Sequence, residues 1–308
     1  MQVTIIGLGE TGATVAALLI EKVEGIIINV IDPSQWVDGR LLDLQHAAAF
    51  KSTTILRNDW SAAANADFLF FCAGVRNPKE GDRMDVVQEN KALINAVFEN
   101  FAPKLGAVVI VLTNPVEAIA QWIYEYLDKK NIVVGTGTEL DRLRLAYLMH
   151  LKSDVAYSQI HAVVIGEHGS DMVAVFSHSK VQGKKATVYF NSDELETLYF
   201  DLVNSAKTIR KTEEATKYGV AQCAIDIMVS FMDSKPNYRI VSVPCDQNYA
   251  DLINCEEGLF LSLPVEISNG NWQLLPSLNL TNDEQSAFLK AAEKLCKLQK
   301  NYAVRFDG

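Results

Sequence analysis

Along the first half of the chain, hydrophobic residues fall into short continuous runs separated by stretches with helical spacing. Residues 3–6 form an apolar run that ends in glycines, residues 13–23 have helical character, and residues 26–31 form a second run rich in β-branched side chains. This is strand, helix and strand within about 30 residues, the size of one βαβ unit. Further strand-like runs at 68–72, 108–112 and 132–134 alternate with helix-like stretches at 84–101 and 116–129. Strands that are apolar throughout are buried on both faces, which predicts a parallel sheet covered by helices on either side.

The pattern changes after about residue 150. Strand-like runs at 160–165, 239–243 and 259–267 are mixed with longer helices, two of which fill 192–232. A last helix is predicted over 282–300, with Thr281 as N-cap and Glu284 three residues later completing a capping box. This half reads as a smaller α+β lobe. No internal repeat, low-complexity tract or long linker separates the two halves, so a packed interface between them is expected.

Composition narrows the function classes. The 308 residues suit two domains. A net charge of −10 without any basic block argues against a nucleic-acid partner. The five cysteines, Cys72, Cys223, Cys245, Cys255 and Cys296, are odd in number and contain no CxxC pair. A disulfide framework or zinc site is therefore not expected, no metal is assigned, and a reducing, cytoplasmic compartment fits best. The start of the chain has no positively charged n-region, so no signal peptide is expected. Runs such as 107–112 are strand-sized, far below the roughly 18 residues that span a bilayer.

The first motif with chemistry in it is Gly7-Leu8-Gly9-Glu10-Thr11-Gly12, a GxGxxG that follows a strand and opens a helix. Gly7 permits a tight turn, Gly9 lets backbone approach a pyrophosphate, and Gly12 lets the helix pack closely on the strand. The helix N-terminus then offers free N–H groups to the phosphates. Asp32, 20 residues past Gly12 at the end of the second strand, is placed to accept from the adenosine ribose hydroxyls. It would also repel a 2′-phosphate, so NAD is favoured over NADP. The predicted fold is α/β: a Rossmann-type doubly wound parallel sheet over residues 1–138, binding NAD, followed by an α+β substrate domain over 139–308.

Three further segments carry reactive side chains. Asp141 and Arg144 are three apart on a predicted helix and share a face. An arginine fork can grip a carboxylate through two parallel bonds, although taken alone the pair reads first as a surface ion pair. His168 stands between glycines after an apolar strand, in Gly166-Glu167-His168-Gly169. An imidazole can exchange a proton with a carbonyl or alcohol oxygen, and a carboxylate on its other nitrogen, a role open to Asp141, would fix the tautomer. A lone histidine is more often structural. The third segment is Gly81-Asp82-Arg83.

These segments acquire meaning together. The GxGxxG and Asp32, the stretch Gly-Arg-Leu-Leu-Asp-Leu-Gln-His at 39–46, Thr113-Asn114-Pro115-Val116, Gly-Thr-Gly-Thr-Glu-Leu-Asp at 135–141 and Gly166-Glu167-His168-Gly169 stand in the order and spacing of the lactate/malate dehydrogenase family. The chain resembles that family over essentially its whole length. Through Tyr218-Gly219-Val220-Ala221, its second half is also similar to bacterial L-2-hydroxyisocaproate dehydrogenases. The resemblance implies an NAD-dependent oxidoreductase, similar to L-lactate dehydrogenase, acting on a small 2-keto or 2-hydroxy acid, as a homotetramer or homodimer without nucleic-acid or membrane partners. It implies His168 as general acid/base, Asp141 as its carboxylate partner, and Arg144 as the grip on the substrate carboxylate. Arg83 would polarise the substrate carbonyl, and Asn114 would hold nicotinamide and substrate oxygen. The loop at 75–86 would close over the substrate.

The chain also departs from the family pattern. The main substrate-selecting position, six before Arg83, is Asn77, neither the arginine of malate enzymes nor the glutamine usual in lactate enzymes, and Arg76 is adjacent. A second pocket position is Thr216, typical of lactate enzymes. Together they imply a monocarboxylic 2-keto acid, with room for a longer or branched side chain. If Arg76 faces the substrate instead, a malate dehydrogenase follows. Where some relatives bind fructose 1,6-bisphosphate, His161 matches but Ala146 replaces the arginine, so that clamp is incomplete. Two other readings remain: a non-enzymatic NAD sensor, which need not keep Arg83, Asp141, Arg144 and His168 together, and an NAD-using glycosidase, which would want metal ligands near the nicotinamide.

Overall fold

The computed structural model describes residues 1–75, 83–213 and 215–301. The chain alternates strand and helix through β1 (Gln2–Ile6), α1 (Glu10–Lys22), β2 (Ile27–Ile31), α2 (Asp38–Ala48), β3 (Thr54–Arg57), α3 (Trp60–Ala64), β4 (Phe68–Phe71), α4 (Arg83–Phe98), β5 (Val108–Val111), α5 (Val116–Tyr126), β6 (Ile132–Gly135) and α6 (Glu139–Ser153). The six strands are parallel in the order β3-β2-β1-β4-β5-β6, so the order reverses between β1 and β4.

Continuous apolar strands feed two cores at once, because successive side chains point to opposite faces. In β4, Phe68 and Phe70 join the core under α1 and α2, while Leu69 and Phe71 join the one under α4 and α5. In β5, Val108 and Ile110 divide from Val109 and Val111 in the same way. Helix α1 buries Gly12, Val15, Ala16, Leu19 and Ile20, an i, i+3, i+4, i+7, i+8 stripe that faces the sheet.

The rest of the chain forms β7 (Ile160–His161), β8 (Val164–Ile165), β9 (Val173–Ala174), β10 (Lys180–Val181), β11 (Lys184–Lys185), α7 (Ala186–Tyr189), α8 (Ser192–Ile209), α9 (Tyr218–Met232), β12 (Asn237–Pro244), α10 (Gln247–Ile253), β13 (Phe260–Ser268), β14 (Asn271–Leu274) and α11 (Asn282–Asn301). Strands β12, β13 and β14 continue the large sheet beyond β6 in antiparallel fashion, making nine strands in all. A third core, with Leu145, Met149, Val164 and Leu202, lies under α6 and α8. No helix among the described residues is long and apolar enough to cross a membrane.

Two expectations change. The run 160–165 is two strands in two small sheets, β7 with β10 and β8 with β9. It breaks where the Val163 N–H donates to the Ser179 hydroxyl (3.0 Å) instead of a neighbouring strand. The helix expected over 116–129 ends at Tyr126, because Asp128 and Lys129 turn left-handed (φ 51° and 59°). Strands are present at the expected runs 239–243 and 259–267, as β12 and β13, and they extend the first sheet. The predicted capping box is present: Thr281 Oγ1 accepts from Glu284 N (3.3 Å) and Glu284 Oε2 accepts from Thr281 N (2.9 Å).

Candidate active site

Parallel strands all end at the same edge of the sheet, so the segments that follow them gather in one crevice. Gly7 after β1 has φ +90°, and a Cβ there would lie 2.6 Å from Ala73 N, the chain leaving β4. A Cβ on Gly12 would lie 2.0 Å from the Gly7 carbonyl oxygen, so only glycine lets α1 start this close to β1. Gly9 caps α1 without any side-chain bond, and nothing lies within 4 Å of where its Cβ would be. This uncapped, open helix N-terminus fits a pyrophosphate. Asp32, 8% exposed, accepts from Leu8 N (2.8 Å) and Ser34 N (3.0 Å). Its carboxylate is thereby fixed at the end of β2 with lone pairs left for ribose hydroxyls. These residues fit a dinucleotide with an unphosphorylated ribose.

Glu10, in the first turn of α1, would bring an unwanted negative charge to this cradle. It is held by Lys217 Nζ (3.1 Å) and by Arg40. The Lys217 hydrogen bond, against burial and with help from Arg40, keeps its carboxyl below the usual range. Lys217 adjoins Thr216, so the cofactor loop is tied to the segment before α9.

Helix α6 supplies the second group. Its start is pinned by Thr138, whose N–H donates to Ser262 Oγ (3.0 Å) and whose hydroxyl donates to Val164 O. Glu139, 2% exposed, adds bonds from Arg142 Nε (2.8 Å) and Ile240 N (2.9 Å). Two residues on, Asp141 is fully buried. Its Oδ2 lies 2.6 Å from His168 Nδ1 and its Oδ1 accepts from Arg144 Nη1 (3.0 Å). An ionised carboxylate can only accept, so Nδ1 carries a proton and Nε2 is left to exchange one with a bound molecule. Burial alone would lower the imidazole pKa. The charge and hydrogen bond of Asp141, with a smaller contribution from Glu117 and against Arg144, outweigh it and raise the pKa above its ordinary value.

Glu117 is the group that sequence reasoning missed. It sits in the first turn of α5, 1% exposed, and its Oε1 accepts from His168 N (3.0 Å) and Ser262 Oγ (2.9 Å). Burial, opposed by the His168 charge and by these hydrogen bonds, pushes its carboxyl up to about 7. The available signal was an acid inside the apolar run after Asn114-Pro115, where a solvated carboxylate has no place.

The other expected positions are distributed as follows. Asn114 is exposed after β5, on the edge that carries Gly7 and Asp32. Thr216 is half-buried just before α9. Asn77 and Arg76 lie outside the described residues, as does the side chain of Arg83, the first residue of α4. Ala146 is packed in the third core, and the His161 ring lies 5.0 Å from that of Tyr238, its pKa lowered by burial, Arg142 and Lys180.

Two family models match the chain: a lactate/malate dehydrogenase NAD binding domain over residues 1–134 and a lactate/malate dehydrogenase alpha/beta C-terminal domain over residues 138–305. L-lactate dehydrogenase 1 of Staphylococcus aureus is 28% identical over 306 residues, covering 96% of this chain and 94% of that protein. Among solved structures, the minor L-lactate dehydrogenase of Enterococcus mundtii is similar with a TM-score of 0.86 at 24% identity, covering 99% of each chain. A lactate dehydrogenase from a deep-sea metagenome of the Medee basin has a TM-score of 0.86 at 22% identity, covering 98% of this chain and 99% of that one. At these identities the two structures speak for the fold.

Two predictions follow from this geometry. Asp32→Ser removes both the ribose acceptor and the repulsion of a 2′-phosphate, so the preference for NADH over NADPH in kcat/KM should narrow sharply. Equal use of both cofactors by the wild type would contradict the role. Glu117→Gln keeps an acceptor for His168 N but removes the acid. Because the folded pKa is raised, the stability contributed by the neutral acid is complete below its ordinary 4.5 and is lost as pH rises through about 7. The wild-type Tm should therefore fall relative to the glutamine variant between those pH values, and a constant difference would contradict the assignment.

Proposed function

The chain belongs to the lactate/malate dehydrogenase family and is an NAD-dependent oxidoreductase of 2-hydroxy acids, and from that premise we propose that it reduces a monocarboxylic 2-keto acid to the L-2-hydroxy acid. The observation that carries this reading is the buried Asp141 carboxylate shared between His168 and Arg144. A proton donor and a carboxylate-binding fork held by one acid are the two groups that a 2-keto acid requires.

NADH, when bound, supplies the hydride. Arg144 anchors the substrate C1 carboxylate through a charge-assisted fork. His168 delivers a proton from Nε2 to the carbonyl oxygen, and Asp141 stabilises the imidazolium beforehand. Arg83 polarises the same oxygen, and Asn114 holds substrate oxygen and nicotinamide in register. In the oxidising direction His168 takes the proton from the alcohol. We divide the chain at 138/139, which puts the cofactor cradle in one domain and Asp141, Arg144 and His168 in the other.

Substrate choice rests on Asn77 and Thr216, both neutral. Lys217, beside Thr216, is engaged by Glu10 and Glu213 (3.1 and 3.5 Å) and is not free to pair a second substrate carboxylate. An unpaired charge in a dry site is costly, which favours a neutral tail, including the longer or branched tails of a 2-hydroxyisocaproate dehydrogenase. The exposed face of α6 carries Leu143, Tyr147 and Leu151 at four-residue spacing, with Leu42 exposed on α2 and Trp36 exposed in the turn just before it. These apolar positions support a homotetramer or homodimer. The thiols of Cys223 and Cys245, buried in the core, support a reducing cytoplasmic setting.

Two measurements test the reading. His168→Ala should lower kcat for reduction by about 10² to 10⁴ while NADH binding survives; a change of a few-fold would remove His168 from the chemistry. In kcat/KM, 2-oxoisocaproate should exceed oxaloacetate for the wild type, and Asn77→Arg should reverse the order. If the wild type prefers oxaloacetate and Arg76→Ala abolishes that preference, the protein is a malate enzyme.

A further inference from the structure

The turn that carries His168 is short, glycine-flanked and polar. Backbone bonds hold one side of it: Gly166 pairs with Ser262 of β13 (3.0 and 2.9 Å), and His168 N donates to Glu117. The opposite side is held from α11, more than a hundred residues away in sequence. Phe288 and Ala291 lie under Gly166, with the nearest atoms 3.4–3.5 Å from where its Cβ would be. One helical turn further, Lys294 Nζ reaches both Glu167 oxygens (2.8 and 2.9 Å) and Asp171 Oδ2 (2.8 Å). Lys290 adds a bond to Asp171 Oδ1 (2.9 Å).

Glu167 and Asp171 bracket His168. Without a cation between them their carboxylates would repel, and the turn would open at the place where the imidazole is mounted. Glu167 is folded back so closely that a Cβ on Gly169 would lie 2.9 Å from its Oε1. Glu167 Oε2 also accepts from Asp171 N at a long 3.3 Å. One ammonium thus closes the ring of chain from 167 to 171. Its partners are only 13% and 17% exposed, whereas Lys294 itself is 39% exposed. The hydrogen bonds from Lys290 and Lys294 hold the Asp171 carboxyl down at about 2, so it stays ionised across the working pH range.

We infer that Lys294 is a positioning residue for the reaction: by clamping Glu167 and Asp171 it fixes the His168 turn against Asp141. This rests on the assignment of His168 as the proton donor. Lys290 still pairs Asp171 when Lys294 is replaced, and the Lys294 ammonium is itself partly solvated, so the clamp acts on the placement of the imidazole more than on folding. Misplacing a reacting group by about 1 Å can cost up to roughly 10² in rate.

The test uses the full chain and compares Lys294→Met, Lys294→Arg and His168→Ala in steady-state 2-keto acid reduction, with NADH affinity and Tm measured on each. Lys294→Met should lower kcat about tenfold, leave NADH affinity unchanged and leave Tm close to wild type; Lys294→Arg, which restores a cation able to bridge two carboxylates, should recover most of the rate. Asp171→Asn, which loosens the same clamp from the other side, should lower kcat in the same direction. A kcat within twofold of wild type in Lys294→Met overturns the inference, as does a loss that tracks Tm and is not rescued by arginine. If His168→Ala is also harmless, the proton-donor assignment fails with it; if His168→Ala is crippled while Lys294→Met is not, the clamp alone is wrong.

Discussion

A fully buried carboxylate needs polar partners in the interior, and Asp141 has two of different kinds, an imidazole at 2.6 Å and a guanidinium at 3.0 Å. Removing either would leave the buried carboxylate with only half of its compensation, which costs more than losing a surface contact. The two partners are also the two groups that meet a 2-keto acid. The need to satisfy Asp141 and the need to bind and protonate substrate are therefore met by one arrangement. Much of the surrounding structure serves to bring its three members together from two segments of the chain.

The start of α6 is anchored through Thr138 and Glu139 to β8, β12 and β13, which fixes Asp141 and Arg144 relative to the sheet. The His168 turn is fixed separately, by Ser262 and Glu117 on one side and by α11 on the other. Ser262 takes part in both: its oxygen accepts from Thr138 N and its hydroxyl donates to Glu117. A single β13 side chain thus joins the helix that bears the acid to the turn that bears the base. The antiparallel extension of the sheet by β12 and β13 places that side chain there.

Local chemistry was legible in the sequence, and long-range chemistry was not. The glycines of the cofactor turn were readable because each has a backbone reason to be glycine, and the structure shows those close approaches at Gly7 and Gly12. Asp32 and the Asp141–Arg144 spacing were readable because strand ends and helical faces follow from periodicity. That Asp141 meets His168 came from resemblance, since nothing in a 27-residue separation forces contact. Glu117 and Lys294 were missed because their meaning lies in partners 51 and 127 residues away. The run at 160–165 was misread as one strand because an unbroken apolar pattern does not reveal that Ser179 will take the Val163 N–H.

The account turns on Asp141 holding the imidazole of His168 in its charged form more firmly than solvent would. The direct measurement is an NMR titration of the isotope-labelled His168 imidazole, in the wild type and in Asp141→Asn. The expected result is an apparent pKa above the ordinary 6.5 in the wild type and a clear fall in the variant. A wild-type value at or below 6.5 that is unmoved by Asp141→Asn would contradict it.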